Sequence, residues 1–247
     1  PKGKDVLSLT EAWYANILAR RLGAPGLDDE ALDDIAEKIA ACQADGGGIA
    51  WFEGMKSSPV LTAAVLQRIY LMPEADVSPI DLEAAVKYLD NSWFEKSGRP
   101  IWCGGITLAQ YLLTRAMYPW IPFERTSSKE LRQFRKDVKA YLVPTGKRGM
   151  NGQILAKARR LRTLQLLTTL PYGDKLAKSW GISIQKKLRK SMDADIKSLL
   201  QYAVKHDGGG VYYPNAVMPW RGLLESELYA HSLICDLFTS VEANDEA

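Results

Sequence analysis

Apolar positions recur at helical spacing along nearly the whole chain. Tyr14, Ile17, Leu18 and Leu22 follow the capping box Ser8-Leu-Thr-Glu11, and Gly23 with Pro25 closes that helix. Asp28 or Asp29 caps the next helix, whose inward stripe is Leu32, Ile35, Ala36, Ile39 and Cys42. Ser58-Pro59 and Ser78-Pro79 each place a proline in a first helical turn. The first pair precedes Leu61, Val65, Leu66 and Ile69, with Pro73 as the stop; the second precedes Leu82, Ala85, Val86 and Leu89. Residues 95–105 read as a loop, followed by a helix through Leu108, Tyr111 and Leu112 and a break at Pro119 and Pro122. Ser127-Ser-Lys-Glu130 is a second capping box, ahead of Leu131, Phe134, Val138, Tyr141 and Leu142. Asn151 opens a helix carrying Ile154, Leu155, Ala158 and Leu161; Pro171 and Gly173 turn the chain. Ser183 opens a long helix with Leu188, Met192, Ile196, Leu199 and Ala203, and the last helix carries Leu224, Leu228, His231, Ile234 and Phe238. No period-two alternation competes with these stripes. The expected fold class is all-α, with about ten helices in antiparallel hairpins and a single domain over residues 1–247.

Two of the predicted corners repeat one phrase. Asp45-Gly46-Gly47-Gly48-Ile49-Ala50-Trp51-Phe52 recurs as Asp207-Gly208-Gly209-Gly210-Val211-Tyr212-Tyr213-Pro214. Each copy follows one helical pattern and precedes another. Such repetition points to helix hairpins joined by glycine-rich corners. Corners of this kind let aromatic side chains fold toward a shared mouth, which favours a closed ring over an open solenoid.

Composition narrows the function classes more than it names one. The chain has 247 residues, enough for a sizeable core, and ordinary globular proportions of apolar and charged residues. A net charge of +3 does not argue for nucleic acid. Charge is uneven: Asp28, Asp29, Glu30, Asp33 and Asp34 make the early part acidic. Lys157, Arg159, Arg160 and Arg162, then Lys186, Lys187, Arg189 and Lys190, make the later part basic. Both basic groups read as solvated helix faces, with a surface for an anionic glycan or an acidic partner as the alternative. Cys42, Cys103 and Cys235 form neither a zinc pattern nor a disulfide framework. No apolar run spans a bilayer, so direct membrane insertion by this segment is not expected. A start at Pro1 and a polar end at Glu242-Ala-Asn-Asp-Glu-Ala247 read as a segment of a larger protein.

Gln43-Ala44-Asp45-Gly46-Gly47 at a helix end, then Trp51-Phe52 and a helix start at Ser57-Ser58, resembles the α/α-toroid superfamily. Within it, Asp45 to Gly54 followed by Leu61-Thr62-Ala63-Ala64-Val65-Leu66 is most similar to the thioester-type domain of bacterial α2-macroglobulin-like proteins. Gly209-Gly210-Val211-Tyr212-Tyr213 and Leu224-Glu225-Ser226-Glu227-Leu228-Tyr229-Ala230 resemble a later corner of the same family. The resemblance implies a helical toroid and a secreted or periplasmic setting, free or lipid-anchored through a preceding part of the protein. It also implies a role in protease trapping, with the other domains of the same large chain and a protease as partners. The family's Cys-Gly-Glu-Gln thioester signature is absent: Cys103-Gly104-Gly105-Ile106 begins like it but lacks the glutamate and the glutamine. The implied function is that of a non-catalytic scaffold and interaction domain without cofactor.

The residues also allow chemistry to be weighed. Trp51, Phe52, Trp102, Tyr212, Tyr213 and Trp220 sit beside glycine or proline, with Arg221 adjoining. They either plug the mouth of the ring or line a cleft for an isoprenoid, a sugar or a peptide side chain. Glu225, Glu227 and Asp45 are the candidate acid and base of an alternative reading, an (α/α)-barrel carbohydrate-active enzyme acting as hydrolase or lyase. Glu225 and Glu227 diverge by about 200° on a helix, so one faces the mouth and the other solvent. His231, Cys235 and Asp236 on one helix, or His206 beside Asp207, are the only thinkable metal ligands, and no metal site is expected. The glycines follow a helix rather than open one, and no Gly-Lys-Ser/Thr follows them, which excludes a phosphate loop. The acid motif of terpenoid cyclases and the zinc ligands of prenyltransferases are missing, and two histidines do not build a serine or cysteine triad.

Overall fold

The computed structural model describes residues 5–73, 75–96, 105–125, 128–144, 154–214, 216 and 223–245. Among them the chain is all-α, with ten helices and one two-stranded antiparallel sheet. Contacts cluster into two compact units, Pro1–Thr107 and Leu108–Ala247.

The first unit holds α1 (Val6–Arg21), α2 (Asp29–Ala41), α3 (Pro59–Tyr70) and α4 (Leu82–Lys96). α1 packs on α2 and α3, and α3 packs on α4. Val6, Trp13, Ile17, Leu32, Ile39, Leu61, Val65 and Ile69 form its core. The N-cap of α1 is Asp5, three residues before the expected Ser8. Its carboxylate takes the backbone N–H groups of Leu7 and Ser8 at 3.0 and 3.1 Å. Hydrogen bonds from Ser8 hold that carboxyl below its usual range. Asp28 caps α2 as expected. α4 begins at Leu82 rather than at Ser78-Pro79, because Asp81 accepts the Ala84 N–H at 2.8 Å.

The second unit holds α5 (Leu108–Ala116), α6 (Lys129–Leu142), α7 (Ile154–Thr169), α8 (Gly173–Ser179) and α9 (Lys186–Leu200). Then come β1 (Val204–Lys205), β2 (Val211–Tyr212) and α10 (Glu227–Asp245). α7 is its axis, packed by α5, α6, α8, α9 and α10. Three expectations change here. The turn at Pro171 and Gly173 is followed by the short helix α8, entered through Tyr172 at φ +65°. α9 starts at Lys186, not Ser183. The buried stripe of α10 is Ala230, Leu233, Ile234 and Leu237, while Leu228 is 83% exposed. The expected helix start at Asn151 and most of the loop at 95–105 lie outside the described residues.

The larger correction concerns α7. Lys157, Arg159, Arg160 and Arg162 are buried, not solvated. A helix surrounded on all sides has no solvent face, so its cations need partners supplied by its neighbours. Arg160 Nη2 lies 2.7 Å from Asp195 Oδ2 on α9, and Arg162 Nε lies 2.7 Å from Asp236 Oδ2 on α10. That Nε–H is not directed at the oxygen. The pair is held by charge and by the Nη2–H, which donates to Oδ1 at 3.2 Å. Lys157 donates to Ser198 Oγ at 3.0 Å and sits over the Tyr202 ring; desolvation pushes its pKa down. The second basic group, Lys186 to Lys190 on α9, is solvated as expected.

Candidate functional site: the two glycine corners

The sequence repeat is a repeat of backbone geometry. In the first corner Ala44 N–H donates to Gly48 O at 2.9 Å and Gly47 N–H to Ala44 O at 2.7 Å. In the second, His206 N–H donates to Gly210 O at 2.8 Å and Gly209 N–H to His206 O at 2.9 Å. Of each glycine triplet only the middle one has positive φ, +83° at Gly47 and +87° at Gly209. A bridge between Gln43 and Ile49 in the first copy matches the Lys205 to Val211 pairing in the second. This pairing makes β1 and β2, a hairpin too short to show as alternation in the sequence.

The surroundings of the two copies differ. The first corner is packed: a Cβ on Gly47 would collide with the backbone of Ala84, and one on Gly48 would fall 2.6 Å from the Tyr88 ring. The Gln43 amide clamps the corner to the start of α4, donating to Gly47 O and Asp81 O at 2.8 Å each and accepting Asp81 N–H at 3.0 Å. Ser58 N–H donates to Ile49 O at 2.8 Å, fixing the entry to α3. In the second corner a Cβ on Gly209 or Gly210 would meet nothing within 4 Å, and Val211 is 63% exposed where Ile49 is buried.

The aromatic residues do not share one fate. Trp51 and Phe52 stand exposed, as does Tyr212, while Tyr213 is buried and packs its ring 6.1 Å from that of His231. Tyr213 is therefore part of the second unit's interior rather than a surface cleft. Trp102, Trp220 and Arg221 lie outside the described residues. Beside the first corner, α1 and α2 enclose a cleft of about 730 Å³ lined by Leu9, Leu27, Ile35, Phe52, Asp34 and Glu53 among others. Cys42 lies at its base, and burial first, then the Glu53 charge, pushes the thiol pKa up; this favours the inert protonated form.

The candidate acids have distinct environments. Asp45 is exposed at the tip of its turn. Glu225 lies 3.4 Å from Arg159 Nη1, whose guanidinium also donates to Leu224 O and stacks 5.3 Å from the Tyr229 ring. Glu227 is exposed in the first turn of α10. The candidate metal ligand His231 has both ring nitrogens engaged, Nδ1 with Glu227 O at 2.9 Å and Nε2 with Tyr213 N–H at 3.0 Å. Among the described residues no group of three or more His, Cys, Asp and Glu side chains is arranged to hold a metal ion, and no helix is long and apolar enough to cross a membrane. Arg159, which the repeat and the acids did not single out, is the residue that ties Glu225 to α7. Comparison with family profiles, curated proteins and solved structures finds no match to this chain.

Proposed function

We propose that this chain is a scaffold and interaction domain of a secreted or periplasmic α2-macroglobulin-like protein. Its helix hairpins would close as an α/α toroid, and it would take part in protease trapping without a thioester of its own. The observation that carries the reading is the first corner. Its glycines are needed for close approach of backbone and ring, its amides are spent on joining α2, α3 and α4, and Trp51 and Phe52 are left at the surface. That is the construction of a rigid joint presenting an apolar edge. The second unit's residues that could carry chemistry serve the same end: Arg159 engages Glu225, and His231 engages backbone on both sides.

Two readouts test it. The native precursor, sized by mass spectrometry, should be long and carry β-sandwich repeats upstream of this segment. Incubation with a panel of neutral and anionic glycans should release no reducing ends. Release that falls by about 10²-fold or more in Glu225→Gln or Glu227→Gln would replace the scaffold reading with the carbohydrate-active one.

A further inference from the structure

The α1–α2 cleft of the first unit combines an apolar floor with an unbalanced negative rim. Leu9, Ile35 and Phe52 are among the apolar residues lining it. Its volume of about 730 Å³ is within the range of sites that enclose a ligand-sized group. Two of the large apolar residues lining it, Leu27 and Phe52, are 38% and 43% exposed. Burying such a cluster is favourable by about 25 cal/mol per Å².

The charge is one-sided. The solvent face of α2 carries Asp29, Glu30, Asp33, Asp34 and Glu37 against a single base, Lys38, which is ion-paired with Asp34. Asp34, Lys38 and Glu53 are the charged residues lining the cleft, and among the described residues no base is ion-paired with Glu53. A second cleft in the same unit, of about 590 Å³, differs: Arg20 and Arg21 line it, and Arg20 meets Asp29 at 2.6 Å. The first cleft has one base among its lining residues, Lys38, and that base is ion-paired with Asp34.

We propose that the α1–α2 cleft is a docking site for a partner-protein segment that carries an apolar anchor next to a lysine or arginine. The anchor covers Leu9, Ile35 and Phe52, the basic group reaches Glu53, and further positive charge on the segment faces the acids of α2. An acidic segment of the same shape is repelled by that rim. The proposal rests on the scaffold reading, since it names the surface through which a scaffold would act.

The test uses the full chain and two synthetic amphipathic peptides with identical leucine positions. One has lysine at every polar position and the other has glutamate. Binding is followed by the fluorescence anisotropy of labelled peptide. The lysine peptide should bind, the glutamate peptide should not, and added salt should weaken the complex. Phe52→Ser should weaken it about tenfold or more, as loss of an interface anchor does. Glu53→Lys should weaken the lysine peptide and strengthen the glutamate one. Circular dichroism checks that both variants, which alter exposed residues, remain folded. Equal binding of the two peptides, no binding of the lysine peptide, or a Phe52→Ser variant that binds like the parent overturns the proposal. Sedimentation showing self-association lost in Phe52→Ser would assign the cleft to a second copy and also overturn it. None of these outcomes touches precursor length or glycan turnover, so failure here is distinguishable from failure of the scaffold reading.

Discussion

His231 joins Tyr213 to the first turn of α10 through one imidazole. Its Nε2 accepts the Tyr213 backbone N–H at 3.0 Å, and its Nδ1 donates to Glu227 O at 2.9 Å. An amide N–H can only donate and a carbonyl can only accept, so the ring is the neutral tautomer with its proton on Nδ1. The first corner solves the same problem with a hydroxyl. Thr62 Oγ1 accepts the Ile49 N–H at 2.8 Å and donates to Ser58 O at 2.9 Å. In both copies a side chain one turn into the following helix ties the outer edge of the corner to that helix.

Each tie should be readable on the amide it holds. His231→Ala removes the acceptor of the Tyr213 N–H and should lower protection of that amide about fivefold, for a net hydrogen bond of about 1 kcal/mol, while leaving the Ile49 amide unchanged. Thr62→Val removes the acceptor of the Ile49 N–H and should do the reverse. Amide hydrogen exchange, corrected for intrinsic rates, reads both directly. A Tyr213 amide as protected in His231→Ala as in the parent protein would refute the tie.

The corners should also respond differently to a single methyl group. Gly209→Ala meets no neighbour within 4 Å and bears only the strain of positive φ, about 1 kcal/mol. Gly47→Ala bears that strain and drives its Cβ into the backbone of Ala84, which cannot yield without moving the start of α4. Urea unfolding should show a loss for Gly47→Ala several times that for Gly209→Ala. Equal losses would mean that the first corner is not packed against α4 as described.

Much of this organisation is readable in the residues, and the failures have physical causes. Ser58-Pro59 and Asp28 mark helix starts because caps and first-turn prolines act within a few residues of sequence, and the capping box at Ser127-Ser-Lys-Glu130 marks the next to within one residue, the cap being Ser128. The glycine repeat announces the corners because positive φ at Gly47 and Gly209 requires that residue type. Asp5 and Asp81 outcompete the nearby Ser8 and Ser78 because a cap is chosen by where the chain enters the helix, and tertiary packing sets that point. The burial of Arg159, Arg160 and Arg162 could not be read from α7 itself. Its neighbours deliver Glu225, Asp195 and Asp236 from 35 to 74 residues away. One signal was present: the four bases between Lys157 and Arg162 fall on different sides of α7 and leave no uninterrupted apolar face in its first half, as a helix buried on all sides allows when its charges are paired.

That arrangement makes the acidic partners more valuable than their half-exposed positions suggest. Asp236 is 30% exposed, but the Arg162 side chain it answers is 8% exposed. Asp236→Asn keeps the shape and removes the charge, leaving a buried guanidinium without its counterion. Breaking a buried pair from one side costs about 3–5 kcal/mol, and the partial exposure of this carboxylate places the expected loss near the lower end. Asp174→Asn breaks the surface pair with Lys178, whose members are 70% and 76% exposed, and should change stability by no more than about 0.5 kcal/mol. The double variant Arg162→Met with Asp236→Leu removes both charges and should recover most of the loss. Urea unfolding of the four proteins measures all three effects. If Asp236→Asn costs no more than Asp174→Asn, the arginines of α7 are solvated in solution, and the second unit is not built around a charged axis.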